Sequence, residues 1–371
     1  MIKVILISLQ KYGGGPIDTL GFSNGLVNNG FFHQIIISDQ NELKEEFLKE
    51  NIKRKVYLIK TFQSNYFSFL INTFLFLRWF SLIKILFKEK PKVVHVIQFH
   101  PWVIFIFLIK FFLNFKILYA VHDNPFEPKE DNPLFMNFME KFFIKRADLV
   151  LTYSEFIKRS IIKYIHNKKI EILYLGIHKD LCPNFNKAFD TSKKDLNVLF
   201  FGRLEAYKGI DVLIKAFEIL KKEKLDINLV IAGRGELEEN LKNKISELKI
   251  EFKNYWISRN ELCKLLQWAD VLVAPYKQGT QSGIVNTSLA YGIPIIVTDV
   301  GSFSEFIKDG ETGFLIPPND PETLAEKIKF FYENRDKIIE MSKKILEFNQ
   351  NFSWDKIASR AIKLYHEYIN N

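Results

Sequence analysis

Residues 197–223 read NVLFFGRLEAYKGIDVLIKAFEILKKE. A short apolar run, Asn197–Phe201, meets a glycine and a charged turn. A helical pattern then runs from about Gly209 to Glu223, with Val212, Leu213, Ala216, Phe217 and Leu220 recurring on one face. Strand, loop and helix in that order predict one repeat unit of a parallel sheet. Arg203 and Lys208 then fall at the carboxyl edge of that sheet, where open α/β folds bind ligands. Two cations beside a helix start are suited to neutralising a diphosphate.

The same alternation extends in both directions. Asn228–Ala232, Val271–Ala274 and Pro294–Thr298 read as further strands, with helices near 237–248, 259–268 and 283–291. Upstream, Val4–Ser8, Gln34–Ser38, Val93–Gln98, Lys116–Val121 and Leu149–Tyr153 read as buried strands, with a helix near 17–29. The polar segment from about Pro183 to Asp195 reads as an interdomain linker. The expectation is an α/β chain of two doubly wound, parallel-sheet domains, residues 1–190 and 191–352. A length of 371 residues agrees with two domains.

Composition narrows the partners. The apolar share is 47% and the charged share 26%, a globular balance. The 36 phenylalanines fit AT-rich codon usage and alone carry no functional weight. Residues 1–195 hold 28 Lys and Arg against 18 Asp and Glu, whereas 196–371 hold 24 against 25. The whole positive excess sits in the first half, which suits an anionic partner or is a scatter of solvated lysines. No nucleic-acid recognition module is visible. Cys182 and Cys263 have no metal-type spacing and set up no disulfide framework, as in a reducing cytoplasm. The apolar start runs directly into Gly13–Gly15 and reads as a first strand, not a leader. Residues 61–77 and 102–115 are apolar but interrupted. They read either as core-packing helices or as amphipathic helices on a membrane face.

A second loop carries chemistry. Residues 278–286, QGTQSGIVN, open a helix with glycine and small polar residues. Backbone N–H groups near Thr280–Gly283 can hold phosphate oxygens without a charged side chain. Residues 290–294 (AYGIP) end that helix, and 298–302 (TDVGS) follow the next strand.

These motifs in this order resemble the large family of retaining glycosyltransferases that includes glycogen synthase and many bacterial mannosyl- and glucosyltransferases (family 4, "glycosyl transferases group 1"). FGRLEAYKG is similar to its GRL…KG donor motif, and AGRGELEENL, ISRNELCKLLQWADVLVAPY and LAYGIPIIVTDVGSFSEFIKDGETGFLIPPNDPETLAEKI match its order. The first half is similar through Gly13–Gly15, Val121-His122-Asp123 and ADLVLTYSE. The resemblance implies two Rossmann-like domains facing a cleft, the GT-B arrangement, with the nucleotide sugar on the second domain and the acceptor on the first. The last helix, about 353–371, would cross back to the first domain. It implies no cofactor beyond the UDP- or GDP-type donor and no catalytic metal; the chain has no Asp-x-Asp.

On those matches, Arg203, Lys208 and His122 are the catalytic candidates. Gly14, Gly15, Gly202, Thr280, Gln281, Ser282, Gly283, Thr287 and Glu305 are donor-binding candidates, and Asp123 is on the acceptor side. The family's E-G-F-G-x-x-x-x-E-A pattern is broken: Gly279 and Thr287 stand where the two glutamates belong. The expected reaction moves a hexose to a hydroxyl of a surface-glycan or lipid-linked acceptor, with retention, in the cytoplasm or at the inner membrane face. Peripheral contact with an anionic membrane would accompany it. The missing glutamates keep open a catalytically inactive partner subunit that binds a nucleotide sugar. A sugar-nucleotide epimerase is the third reading.

Overall fold

The computed structural model describes residues 2–49, 52–62, 69, 71–75, 77–126, 134–190 and 192–370. The expected stretch 61–77 therefore lies partly outside the described residues. The chain divides into two compact units, 1–176 with 352–371, and 177–351.

The first unit is built on a parallel seven-stranded sheet. Its strands are β1 (Val4–Ser8), β2 (His33–Ser38), β3 (Arg54–Ile59), β4 (Val93–Val96), β5 (Lys116–Val121), β6 (Leu149–Thr152) and β7 (Ile170–Ile172), in the order β3-β2-β1-β4-β5-β6-β7. Successive side chains point to opposite faces, so the strands feed two cores. Ile5, Ile7, Val94, Val96 and Ile117 enter one. Val4, Leu6, Val93 and Leu118 enter the other. The second core also takes Ile357, Ala358, Ala361 and Tyr365 from the last helix, Trp354–Asn370. That helix lies against the first, Gly14–Asn28, closely enough that a Cβ on Gly25 would sit 2.4 Å from the Trp354 carbonyl oxygen. A glycine is needed at that crossing.

The second unit is built on a parallel six-stranded sheet. Its strands are β8 (Leu196–Phe201), β9 (Ile227–Gly233), β10 (Glu251–Asn254), β11 (Val271–Ala274), β12 (Ile295–Thr298) and β13 (Gly313–Ile316), in the order β10-β9-β8-β11-β12-β13. The four strands not expected from the sequence, β3, β7, β10 and β13, are the four sheet edges. Edge strands carry fewer continuous apolar runs because one side lacks a neighbour, and β10 is only partly buried at Phe252 and Lys253.

Three expectations are corrected. The change between units falls at 176/177, not 190/191, because residues 177–190 are fastened to the second unit. Tyr291 Oη donates to the carbonyls of His178 and Lys179 and accepts from Cys182 N. Arg259 donates to the carbonyls of Asp180 and Leu181. Second, Cys182 and Cys263 are not independent thiols. They form a disulfide, so the same segment is covalently joined to the helix Arg259–Trp268 across a separation of 81 residues. Third, the expected glycine loop at 13–15 reduces to Gly13, in the left-handed region at φ 90°. Gly14 and Gly15 already belong to the helix.

Candidate functional site

In the six-stranded sheet the strand order reverses between β8 and β11, the switch point at which doubly wound folds leave a crevice. The loops after β8, β11 and β12 are tied to one another at that end. After β8, Gly202 turns at φ 139°. Ala206–Lys208 form one 3-10 turn, and Gly209 at φ 70° redirects the chain into the helix Ile210–Lys222. A Cβ on Gly209 would lie 1.8 Å from the Pro275 carbonyl oxygen. The β8 turn can therefore rest against the end of β11 only with glycine there. Lys277 N donates to Tyr207 O at 2.7 Å, and Lys277 Nζ pairs with Asp211 at 2.9 Å. From β12, Thr298 Oγ1 donates to Tyr276 O at 2.6 Å and Ser302 Oγ to Thr280 O at 2.6 Å.

Lys208 sits inside this junction, only 9% exposed. Its Nζ lies 3.9 Å from the centroid of the Tyr276 ring and 4.9 Å from that of Tyr207. The ammonium is thus held by aromatic faces. Burial pushes its pKa down to about 8; the Arg203 charge adds to the fall, and Glu205 opposes it.

Tyr276 also connects Lys208 to the second loop, because Ser282 Oγ donates to Tyr276 Oη at 2.8 Å. Ser282 occupies the N-cap of the helix Gly283–Tyr291, yet its hydroxyl makes no cap bond. The first-turn amides keep no side-chain cap and carry the positive end of the helix dipole. A methyl group built on Gly283 would meet nothing within 4 Å, so the approach is open. A buried cation, an uncapped helix start and polar loop residues meet around one tyrosine. That arrangement can bind an anion of phosphate type.

The other candidates take different places. Arg203 is 71% exposed and paired with Glu205 at 2.7 Å, a surface ion pair of little intrinsic strength. Gln281 Nε2 is buried without a hydrogen-bond partner. Thr287 is buried, and its hydroxyl donates to Gly283 O at 2.8 Å, so it is turned into its own helix. Glu305 is half-buried in the short helix Phe303–Phe306.

In the first unit the switch point lies between β1 and β4. His122 follows β5, with Nε2 3.2 Å from Ile97 O and its ring 4.5 Å from that of Tyr153. Burial lowers its pKa, against the opposing influence of Asp18, the Ile97 carbonyl and Asp123. The ring is therefore biased to the neutral form. Asp123 is half-exposed beside it. Gly14 begins the helix, whereas a Cβ on Gly15 would lie 2.0 Å from Gln98 Nε2 and 2.2 Å from Gln10 Oε1. The space at Gly15 is filled by glutamines and is not left for a ligand. Tyr276 and Gln98 were not singled out in the sequence. An aromatic at a strand end reads as core, and Gln98 reads as the last residue of the expected strand Val93–Gln98, which ends at Val96.

Among the described residues no group of three or more His, Cys, Asp or Glu is placed to hold a metal ion.

Comparison with known proteins agrees with this architecture. The chain is 25% identical over 379 aligned residues to an uncharacterized glycosyltransferase of Methanocaldococcus jannaschii, covering 95% of this chain and 94% of that one. Its fold is similar to sucrose-phosphate synthase from Thermosynechococcus elongatus, with TM-score 0.77, 17% identity and complete coverage of both chains. It is also similar to Anabaena HepE in complex with UDP and glucose, with TM-score 0.71, 16% identity, and 98% and 99% coverage.

Two parallel-sheet units, each wound about a switch point, give the chain the GT-B fold of glycosyltransferases. Residues 12–181 match "Glycosyltransferase Family 4" and residues 183–351 match "Glycosyl transferases group 1". The chain belongs to the group 1 glycosyltransferases.

Proposed function

We propose that this enzyme transfers a hexose from a UDP- or GDP-sugar to a hydroxyl of a surface-glycan or lipid-linked acceptor, retaining the anomeric configuration. The observation that carries the donor half is Lys208 packed on Tyr276 beside the open start of the helix Gly283–Tyr291. The bond between the anomeric carbon and the diphosphate oxygen breaks, and its electron pair stays on the diphosphate. A new bond forms to the acceptor oxygen, whose proton passes to the departing phosphate. Lys208, the Gly283–Val285 amides and a re-aimed Arg203 oppose the charge that builds on the leaving group, the largest contribution expected in such a site. Nucleotide use is supported by the UDP and glucose bound to HepE. Retention rests on the family resemblance. A site at the inner membrane face would suit a lipid-linked acceptor, and the Cys182–Cys263 bridge removes the cysteine argument for a reducing cytoplasm.

A second reading keeps donor binding without turnover. It is favoured by Gly279 and by the inward-turned Thr287 where the family has carboxylates. Incubating the purified chain with a UDP- and GDP-hexose panel and lipid-linked glycan acceptors separates the two. Release of nucleoside diphosphate with a glycosylated product supports transfer. Nucleotide binding without product across the panel supports the second reading.

A further inference from the structure

Phenylalanine exposure is unevenly distributed. Every exposed phenylalanine among the described residues lies in the first unit. Four of them, Phe111, Phe112, Phe135 and Phe138, lie on or just after two neighbouring helices, Val103–Ile109 and Leu134–Arg146. Phe111 is 84%, Phe112 79% and Phe138 69% exposed. The helices pack together through Phe107, whose ring stacks on Phe143 at 5.3 Å and meets Phe142 at 6.0 Å. Their inner faces, Ile106, Phe107, Met139 and Phe143, are already in the core. Of the outer rings, Phe135 still meets Phe69 at 6.5 Å, whereas Phe111, Phe112 and Phe138 stand outside that core. A third helix, Phe80–Glu89, joins the row where Trp79 stacks on Phe105 at 3.9 Å, and it presents Phe80 and Phe87 outward.

Cations are interleaved with these rings. Lys84 lies over Phe80 at 5.1 Å and Arg146 over Phe142 at 5.7 Å. Residues 77–114 and 134–146 carry nine Lys and Arg against two acids, Glu89 and Glu140, and Glu89 is buried. Exposed aromatic rings beside long cationic side chains match the boundary between lipid headgroups and acyl chains. There the rings enter the apolar layer and the cations stay at the phosphates. An isologous contact between two copies would oppose this cationic face to itself. No described helix is long and apolar enough to cross a membrane, so the contact is one of lying on the surface.

We propose that the outer face of these three helices docks on an anionic lipid bilayer, with Phe111 and Phe112 inserted and Lys145 and Arg146 at the headgroups. The inference rests on the reading of a membrane-borne acceptor, but its test does not use transfer. The purified full chain is sedimented with vesicles of phosphatidylcholine alone or mixed with phosphatidylglycerol, at low and high salt. We expect pelleting only with the mixed vesicles and release at high salt. The variants Phe111→Ser/Phe112→Ser and Lys145→Glu/Arg146→Glu should each partition roughly ten-fold less, with circular dichroism and nucleotide binding unchanged. Pelleting of both variants like the parent, or none by the parent, overturns the proposal. A concentration-dependent dimer in light scattering that Phe111→Ser/Phe112→Ser abolishes would overturn it too, giving the face to a second copy. Failure of transfer alongside normal vesicle binding would count against the proposed reaction and leave this surface standing.

Discussion

Lys208 Nζ lies 3.9 Å from the ring centroid of Tyr276. The same phenol accepts a hydrogen bond from Ser282 at the start of the helix Gly283–Tyr291. One aromatic side chain thus fixes a buried cation next to an uncapped helix terminus. An ammonium held against rings is poorly solvated and gains most when an anion arrives.

Removal of the cation should be costly. Lys208→Ala and Arg203→Ala are each expected to lower kcat/KM for the nucleotide sugar by roughly 100-fold or more, as for other charge-stabilising groups. Thermal melting should stay cooperative, since neither side chain belongs to the hydrophobic core. Near-normal rates in both variants would remove these residues from the site.

Tyr276 acts through its neighbours. Tyr276→Leu keeps an apolar side chain but removes both the cation contact and the Ser282 bond. Nucleotide affinity should fall about ten-fold, and Tyr276→Phe, which keeps the ring face, should recover most of it. Equal loss in both variants would assign the effect to the hydroxyl alone.

The pH dependence has a definite sign. Burial holds the Lys208 pKa at about 8 in the free protein. The protonated form binds diphosphate, so affinity measured by titration calorimetry should decline as pH rises above about 8. Lys208→Gln should flatten that profile. For folding the sign is opposite: the unfolded lysine still holds its proton up to about 10.5, so this group adds stability as pH rises from about 8 toward that value.

Glu89 makes the complementary prediction in the first unit. Hydrogen bonds from Tyr57, Lys55 and Gln34 hold its carboxyl down at about 2, against the upward effect of burial. Its contribution is present above the ordinary carboxylate value and is lost as pH falls from about 4.5 toward 2. Melting temperatures of the parent should fall across that window more steeply than those of Glu89→Gln. Parallel curves would show that the network contributes nothing.

The Cys182–Cys263 bond closes a long loop. In the chain-entropy account a bridge across 81 residues stabilises by about 4–5 kcal/mol. Reductant, or Cys182→Ser, should therefore lower the melting temperature of the second unit. Two alkylatable thiols in the untreated, denatured protein would show that the bridge is absent.

Much of the fold is legible in the residues, and the gaps have physical causes. The nine interior strands announce themselves as apolar runs because both faces are covered. The edges do not: Glu251–Asn254 reads EFKN, which could as well be a loop. Arg203, Lys208 and Ser282 could be found because each follows a strand and precedes a helix. Tyr276 could not, since its importance depends on which loop rests against it. The cysteine pairing was hidden by the intervening 81 residues. For residues 102–115 the core-packing reading holds at Phe107, while Phe111 is exposed at the surface.

The most direct test is a crystal structure of the protein with UDP or GDP bound. The account predicts the diphosphate at the carboxyl end of β8 and β11, accepting hydrogen bonds from the Gly283–Val285 amides and from Lys208 Nζ. A nucleotide lodged elsewhere, with Lys208 still resting on Tyr276 and no phosphate near it, would contradict the account.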